Sequence, residues 1–135
     1  MIAVRVWNFL MGLLTMLAMY PYYFTLDKAI ADAHLTALDS IGEHRFLIGF
    51  GYQGLAMGLY CLWGAFTESR AVEALRFLTL YMVCVSFGRG VAAFENSEEL
   101  LGQPIVYFTL DTLITIIGAV ILLRYLRSVK ENAPD

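Results

Sequence analysis

The sequence predicts an all-α integral membrane protein, folded as a single four-helix bundle over residues 1–135. Of the 135 residues, 59% are hydrophobic and 16% are charged, and the mean hydropathy is +0.66. This composition is more apolar than that of a soluble domain. The apolar residues form four stretches, each with about the 20 residues that carry a helix across ~30 Å of hydrocarbon. Connections of about 21, 8 and 9 residues leave no room for a soluble domain.

The four predicted spans cover residues 6–24, 46–66, 75–94 and 104–125. The first has features of a secretory signal, because Arg5 precedes an apolar run and residues 29–33 contain small-x-small patterns typical of cleavage sites. Those patterns lie too far beyond the apolar core for cleavage. We therefore expect the first stretch to be retained as a span.

The first connection predicts an amphipathic helix over residues 26–41. Its apolar residues recur at helical spacing, with polar side chains between them and Gly42 as a helix stop. The apolar positions are Leu26, Ile30, Ala33, Ala37 and Ile41. Such a helix either shields the ends of the bundle at the outer surface or forms a lid over an outward-facing cavity.

The distribution of basic residues predicts that both termini are cytoplasmic. One side of the predicted membrane carries more basic residues than the other, and cytoplasmic loops are normally the basic ones. The richer side has Arg5, Arg70, Arg76, Arg124, Arg127 and Lys130, and the other side has Lys28 and Arg45. This pattern is that of a multi-pass protein of the bacterial inner membrane with an acidic periplasmic face. The sequence has no basic patch with interleaved aromatic residues, which argues against nucleic-acid binding.

Two charged residues, Arg89 and Asp111, lie inside the third and fourth spans. An ionised side chain at a helix centre costs about 2.5–3.5 kcal/mol on insertion scales, so such groups normally face protein and pair. At 1.5 Å per residue, Gln53 and Asp111 lie about 10 Å, and Arg89 about 7 Å, below the outer ends of their spans. Three polar side chains from three helices are therefore predicted to share one layer.

Consecutive antiparallel helices are usually neighbours, which places Arg89 against Asp111. A guanidinium matches a carboxylate geometrically, so we predict a direct salt bridge. The further candidates for this polar cluster are Tyr20 and Tyr23 from the first span, Arg45 from the start of the second, and Glu95 as a competing acid. The cluster would fix helix register, bind a ligand or headgroup through Arg89, or move protons or ions. Transport fits least, since the inner half of the spans offers no acid or base.

Small residues four positions apart predict close helix packing, with a subunit interface as the alternative. One such step is Gly54 with Gly58 in the second span, and another is Gly88 with Ala92 in the third.

The cysteine and histidine residues predict neither a metal site nor a cofactor site. Cys61 and Cys84 lack the C-x-x-C spacing of redox and metal sites. His34 and His44 are too few and too far apart for a metal site of known spacing.

Several short motifs resemble those of small bacterial four-span proteins in an uncharacterised DoxX-like group. The motifs are Gly42-Glu43-His44-Arg45, then Phe87-Gly88-Arg89-Gly90, then Gly102-Gln103-Pro104 with an acid, Asp111, seven residues later. The resemblance covers residues 42–125 and implies that Arg45, Arg89 and Asp111 are motif positions. It also implies a role as a small membrane subunit of a redox or stress-response assembly, although the group is largely a domain of unknown function. The chain has no cofactor-binding residues that would support electron transfer.

Two classes of function follow from these observations. The first is a non-enzymatic membrane subunit or binding module, whose partners are the lipid bilayer, a lipid-like ligand, and a larger membrane complex or homo-oligomer. The second is a small isomerase-like membrane enzyme that uses Asp111 as acid or base on a hydrophobic substrate. The first is favoured, because a carboxylate held by an arginine is a poor base.

Overall fold

The computed structural model describes residues 1–32, 40–95 and 103–131. Within these ranges every residue is helical except Met1, Met19, Thr25 and Thr67, and there is no strand. Four helical segments are long and apolar enough to cross a membrane, namely Ile2–Phe24, Ser40–Phe66, Glu68–Val91 and Phe108–Glu131. The predicted all-α class with four membrane-span helices is confirmed.

The first span is built from two helices, α1 (Ile2–Ala18) and α2 (Tyr20–Phe24). They meet at Met19, and Pro21 lies in the first turn of α2. Proline is tolerated there, because the first turn of a helix leaves its backbone N–H groups without intrahelical partners. Thr25 then ends α2 through its backbone N–H, which donates to the Pro21 carbonyl at 2.9 Å.

The predicted amphipathic helix is present over α3 (Leu26–Asp32). Ala29 and Ile30 are buried against Tyr22 and Leu26, whereas Asp27 and Lys28 are exposed. One face of α3 therefore packs on the C-terminal end of the first span. Residues 33–39 of the predicted helix lie outside the described residues.

The second span begins earlier than predicted, with α4 at Ser40–Phe46. A π-helix follows at Leu47–Tyr52, and α5 continues from Gln53 to Phe66. Gly49 and Gly51 lie in the π-helix, and each glycine weakens a regular α-helix by about 1 kcal/mol relative to alanine. The wider π-helical turn therefore occurs where the α-helix is intrinsically weakest, and the hydropathy pattern did not predict it.

The predicted eight-residue connection between the second and third spans is wrong, because only Thr67 separates α5 from α6 (Glu68–Glu95). Thr67 is extended, with φ −114° and ψ 106°. Its N–H donates to the Trp63 carbonyl at 2.9 Å, and its own carbonyl accepts from the Arg70 N–H at 3.0 Å. The polar residues that end the hydropathy signal at residue 75 are thus the first two turns of α6.

The fourth span, α7 (Gln103–Glu131), likewise extends past the predicted end at residue 125. The helices pack in sequence order, α1 on α5, α5 on α6 and α6 on α7, and α1 also contacts α6 and α7. The central core joins α1, α5 and α6 through Met11, Met57, Cys61, Leu78 and Met82. Among the four spans α7 is the least buried.

Two glycines form the close contact between α1 and α5. A Cβ added to Gly58 would lie 3.2 Å from the Gly12 carbonyl oxygen and 2.8 Å from Cγ of Met16. The predicted packing role of the second-span glycines is therefore confirmed at Gly58. At Gly88 an added Cβ would meet no atom of the described residues within 4 Å, so close helix packing is not found there.

Candidate functional site

The predicted salt bridge joins α6 to α7. Nη1 of Arg89 lies 2.8 Å from Oδ2 of Asp111. The two atoms form an ion pair without the alignment of a hydrogen bond. The prediction of a direct contact is confirmed, because the antiparallel pairing of α6 and α7 brings the two positions opposite one another.

The side chains of Asp111 and Arg89 differ in their exposed fraction. The Asp111 side chain is 15% exposed, whereas the Arg89 side chain is 45% exposed. The carboxylate therefore lies within the groove between the two helices, while the guanidinium reaches the surface of the bundle. The anion is enclosed by the protein and the cation is presented to its surroundings.

Hydroxyl groups continue the polar contact one turn deeper. Oγ of Ser86 lies 3.1 Å from Oγ1 of Thr115. The Thr115 hydroxyl donates to the Asp111 carbonyl oxygen at 2.7 Å, so the Ser86 hydroxyl is the donor between the helices. Ser86 precedes Arg89 by three residues and Thr115 follows Asp111 by four, which places each hydroxyl on the same helix face as its charge. That spacing is the sequence signal from which these two residues could have been identified.

Gln53 is not brought to the ion pair. It lies at the start of α5, and its side chain is exposed. In the described parts of the chain, no hydrogen bond or ion pair joins Gln53 to Arg89 or Asp111. The helix α5 packs on α1 and α6, whereas α7 packs chiefly on α6. A shared depth along three helices therefore does not produce contact among all three.

The two predicted tyrosines belong to a separate group at the C-terminal end of the first span. Tyr20 stacks on Phe24 with ring centroids 4.6 Å apart, and Tyr23 meets Tyr52 edge-on at 5.6 Å. Tyr52 lies in the π-helix, so Tyr23 contacts the second span, whereas the Tyr20–Phe24 stack lies within α2.

The structure does not place Arg45 or Glu95 at the ion pair. Arg45 is exposed within α4. Across the described ranges no hydrogen bond or ion pair links Arg45 to Asp111. The helix α6 ends at Glu95, and the Glu95 side chain lies outside the described residues. The structure thus defines the candidate site by Arg89, Asp111, Ser86 and Thr115.

Two side chains of α1 fasten the opposite end of the bundle. Nε of Arg5 donates to the Ala65 carbonyl at 2.7 Å, and Nδ2 of the fully buried Asn8 donates to the Ala71 carbonyl at 2.8 Å. The acceptors flank Thr67, so both bonds hold the tight turn between α5 and α6. A lone asparagine in an apolar stretch was the available sequence signal, because a buried amide needs a hydrogen-bond partner.

The cysteines and acids do not converge on a metal-binding geometry. In the described ranges no group of three or more His, Cys, Asp or Glu side chains lies close enough to hold a metal ion. Cys61 is buried in the core and Cys84 is exposed, and both are free thiols.

Comparisons with protein-family models, with curated proteins and with solved structures find no match to this chain.

Proposed function

We propose that this chain is a small, non-enzymatic membrane binding module in which Arg89, positioned by Asp111, binds an anionic group. The observation that supports the proposal is the unequal exposure of the pair, 45% for Arg89 against 15% for Asp111. An ion pair with an exposed partner contributes only about 0–1 kcal/mol to stability, so the pair adds little as a link between the two helices. Here the cation remains accessible.

The enclosed carboxylate gives Arg89 a fixed orientation. An arginine has five N–H donors in a planar fork, so one guanidinium can contact several acceptors at once, the Asp111 carboxylate among them. The Ser86–Thr115 hydrogen bond fixes the two helices against each other one turn below. Together these contacts hold the guanidinium in place at the surface before a ligand arrives.

The isomerase-like alternative from the sequence assigns acid–base chemistry to Asp111. The geometry favours binding over catalysis, because the covered side chain is Asp111 and the accessible one is Arg89. An arginine does not exchange a proton at ordinary pH.

We also propose that both termini are cytoplasmic, that the protein belongs to the bacterial inner membrane, and that it is a DoxX-like subunit. The orientation is supported by packing at one end of the bundle, where Val4, Ala71 and Leu75 form a cluster with Ile121, Leu122 and Tyr125. This cluster gathers the basic ends of α1, α6 and α7, and a basic end normally faces the cytoplasm. A fluorescent protein fused to the C-terminus should fluoresce in cells, and a periplasmic phosphatase fused there should be inactive; the reverse pattern would refute the orientation.

The binding role is tested by adding dodecyl phosphate to the protein in a neutral detergent and following thermal unfolding. Ligand that binds only the folded state raises its stability. Dodecyl phosphate should stabilise the native protein and the control R124Q, whose arginine is exposed at the other end of α7, but not R89Q. Equal stabilisation of R89Q would overturn the proposal.

A second variant separates loss of binding from loss of folding, since R89Q leaves Asp111 without its cation. Replacing both residues, as R89M with D111L, removes the two charges together, and such replacements are often neutral for stability. This double variant should unfold near the native temperature and should also fail to respond to dodecyl phosphate.

A further inference from the structure

We infer that the anion bound by Arg89 is the phosphate of an anionic phospholipid whose acyl chain lies along the exposed apolar surfaces of α6 and α7. This inference rests on the proposed binding function and adds the chemical class of the ligand. Three features of the site support it, namely its depth, its apolar surroundings and the sign of its exposed charge.

The depth of Arg89 follows from an ion pair at the other end of α6. Arg70 and Glu73 pair at 2.8 Å with side chains 48% and 52% exposed. An ion pair so exposed lies in water or among headgroups, so the hydrocarbon begins at or beyond Glu73. From residue 73 to residue 89 the helix rises about 24 Å, which leaves about 6 Å of a ~30 Å hydrocarbon core. An arginine spans such a distance with its apolar stem, which brings the phosphate layer within reach of the guanidinium.

A second contact of Arg70, with a tryptophan ring, agrees with this depth. The guanidinium of Arg70 lies 5.4 Å from the ring centroid of Trp63, and tryptophan is enriched at the boundary between hydrocarbon and headgroups. The Trp63 ring and the Arg70–Glu73 ion pair together mark one boundary of the hydrocarbon layer, and Arg89 lies close to the opposite boundary.

Exposed apolar side chains lie at about the depth of Arg89 on both helices. Phe87 and Val91 of α6 are exposed, as are Leu110 and Leu113 of α7. Gly88, which precedes Arg89 in α6, is also open, because an added Cβ would meet no atom of the described residues within 4 Å. A ligand with one anionic group and a long apolar chain matches this surface. A small hydrated anion would leave the apolar part of it without a contact.

The sign of the exposed charge decides between a lipid and a second copy of the chain. A two-fold axis along the membrane normal would place equivalent residues of two copies at the same depth. Since Arg89 is three times as exposed as Asp111, such a dimer would bring two cations together and leave the carboxylates covered. An external anion has the complementary charge, so a lipid phosphate is favoured.

The inference is tested by native mass spectrometry of the whole chain in a neutral detergent. The probes are palmitoyl-oleoyl phosphatidylglycerol, which is anionic, and the phosphatidylcholine with the same acyl chains, which has no net charge. The native chain and R124Q should each retain one phosphatidylglycerol at least ten-fold better than R89Q or the R89M/D111L double variant, and they should retain phosphatidylcholine weakly. Equal retention of the two lipids by the native chain would overturn the inference.

A free headgroup separates recognition of the phosphate from recognition of the lipid. Glycerol 3-phosphate, added at the same concentration, should not displace phosphatidylglycerol; displacement would show that the acyl chain contributes nothing and would refute the lipid assignment. A dimer that excludes phosphatidylglycerol would refute it as well.

The two proposals fail in different ways. If dodecyl phosphate stabilises the protein through Arg89 but phosphatidylglycerol retention does not depend on Arg89, the binding function stands and the phospholipid assignment falls. If neither probe depends on Arg89, both fall.

Discussion

The helices α5 and α6 approach each other closely at Gly64, and replacing this glycine by alanine should destabilise the bundle. A Cβ on Gly64 would overlap Cβ of Ala74, would lie 3.1 Å from Nδ2 of Asn8 and would lie 3.4 Å from the Arg70 carbonyl oxygen. The nearest of these atoms, Cβ of Ala74, cannot move away by side-chain rotation. The two helices would therefore have to separate, and the Asn8 hydrogen bond to Ala71 would lengthen.

The expected change is the difference between two opposing effects. Overpacking of a well-packed core costs about 1–3 kcal/mol, and this site is at the upper end because two methyl groups overlap. Alanine gains about 1 kcal/mol over glycine in a helix. The variant G64A should thus lose about 1–2 kcal/mol in the free energy of unfolding. The matched control is G88A on the neighbouring helix, which meets no atom and should gain about 0.5–1 kcal/mol.

The measurement is reversible unfolding in mixed micelles with increasing sodium dodecyl sulfate, followed by far-ultraviolet circular dichroism. The same substitution is made at both glycines, so the sign of each change reports packing rather than composition. If G64A were as stable as the native protein, or if G88A lost as much stability as G64A, the close approach of α5 and α6 at Gly64 would be refuted.

Three further substitutions test other contacts in the same unfolding assay. D111N keeps the side-chain shape but removes the charge opposite the arginine, and should lose about 1–2 kcal/mol, between the values for exposed and buried pairs; no loss would contradict the ion pair. S86A removes the donor to Thr115 and should lose about 0.6 kcal/mol, the average for such bonds between membrane helices, and it should lose nothing further in a T115V background. R5M removes the bond that holds the α5–α6 turn and should lose about 1 kcal/mol, whereas R124M, the same charge change at an exposed site, should change little.

The four-helix architecture could be predicted from the sequence because hydrophobicity over about 20 residues is a strong signal. The ends of the helices could not be predicted, since the hydropathy pattern stops at the first charged residues while the helical backbone hydrogen bonds continue past them. Residues 68–74 illustrate this, because they were assigned to a connection and form the start of α6. The π-helix was missed for a related reason, as glycines lower helix stability without specifying which turn replaces the regular one.

The contact between Arg89 and Asp111 could be predicted because depth and neighbouring helices together fix which residues meet. Depth alone failed for Gln53, whose side chain is exposed on a helix that packs chiefly on α1 and α6. Whether two residues meet depends on their position around the helix as much as on their position along it. Each of the four helices is apolar around most of its circumference, so the sequence does not determine how each helix is rotated about its axis. The same ambiguity hid Asn8, the one fully buried polar side chain in the described ranges.

The sequence could not predict that the Arg89 side chain is more exposed than the Asp111 side chain, and the proposed function depends on that difference. An arginine and an aspartate at the same depth are equally consistent with a structural ion pair between two helices and with a binding site. Other contacts already hold α6 against α7. Ser86 and Thr115 join the two helices one turn below the ion pair. The helices are also close at Gly90, where an added Cβ would lie 3.2 Å from the Phe108 ring. With the helices fixed by those groups, the enclosed Asp111 is free to serve as the partner that orients Arg89, and the exposed guanidinium is the group through which the bundle can recognise an anion.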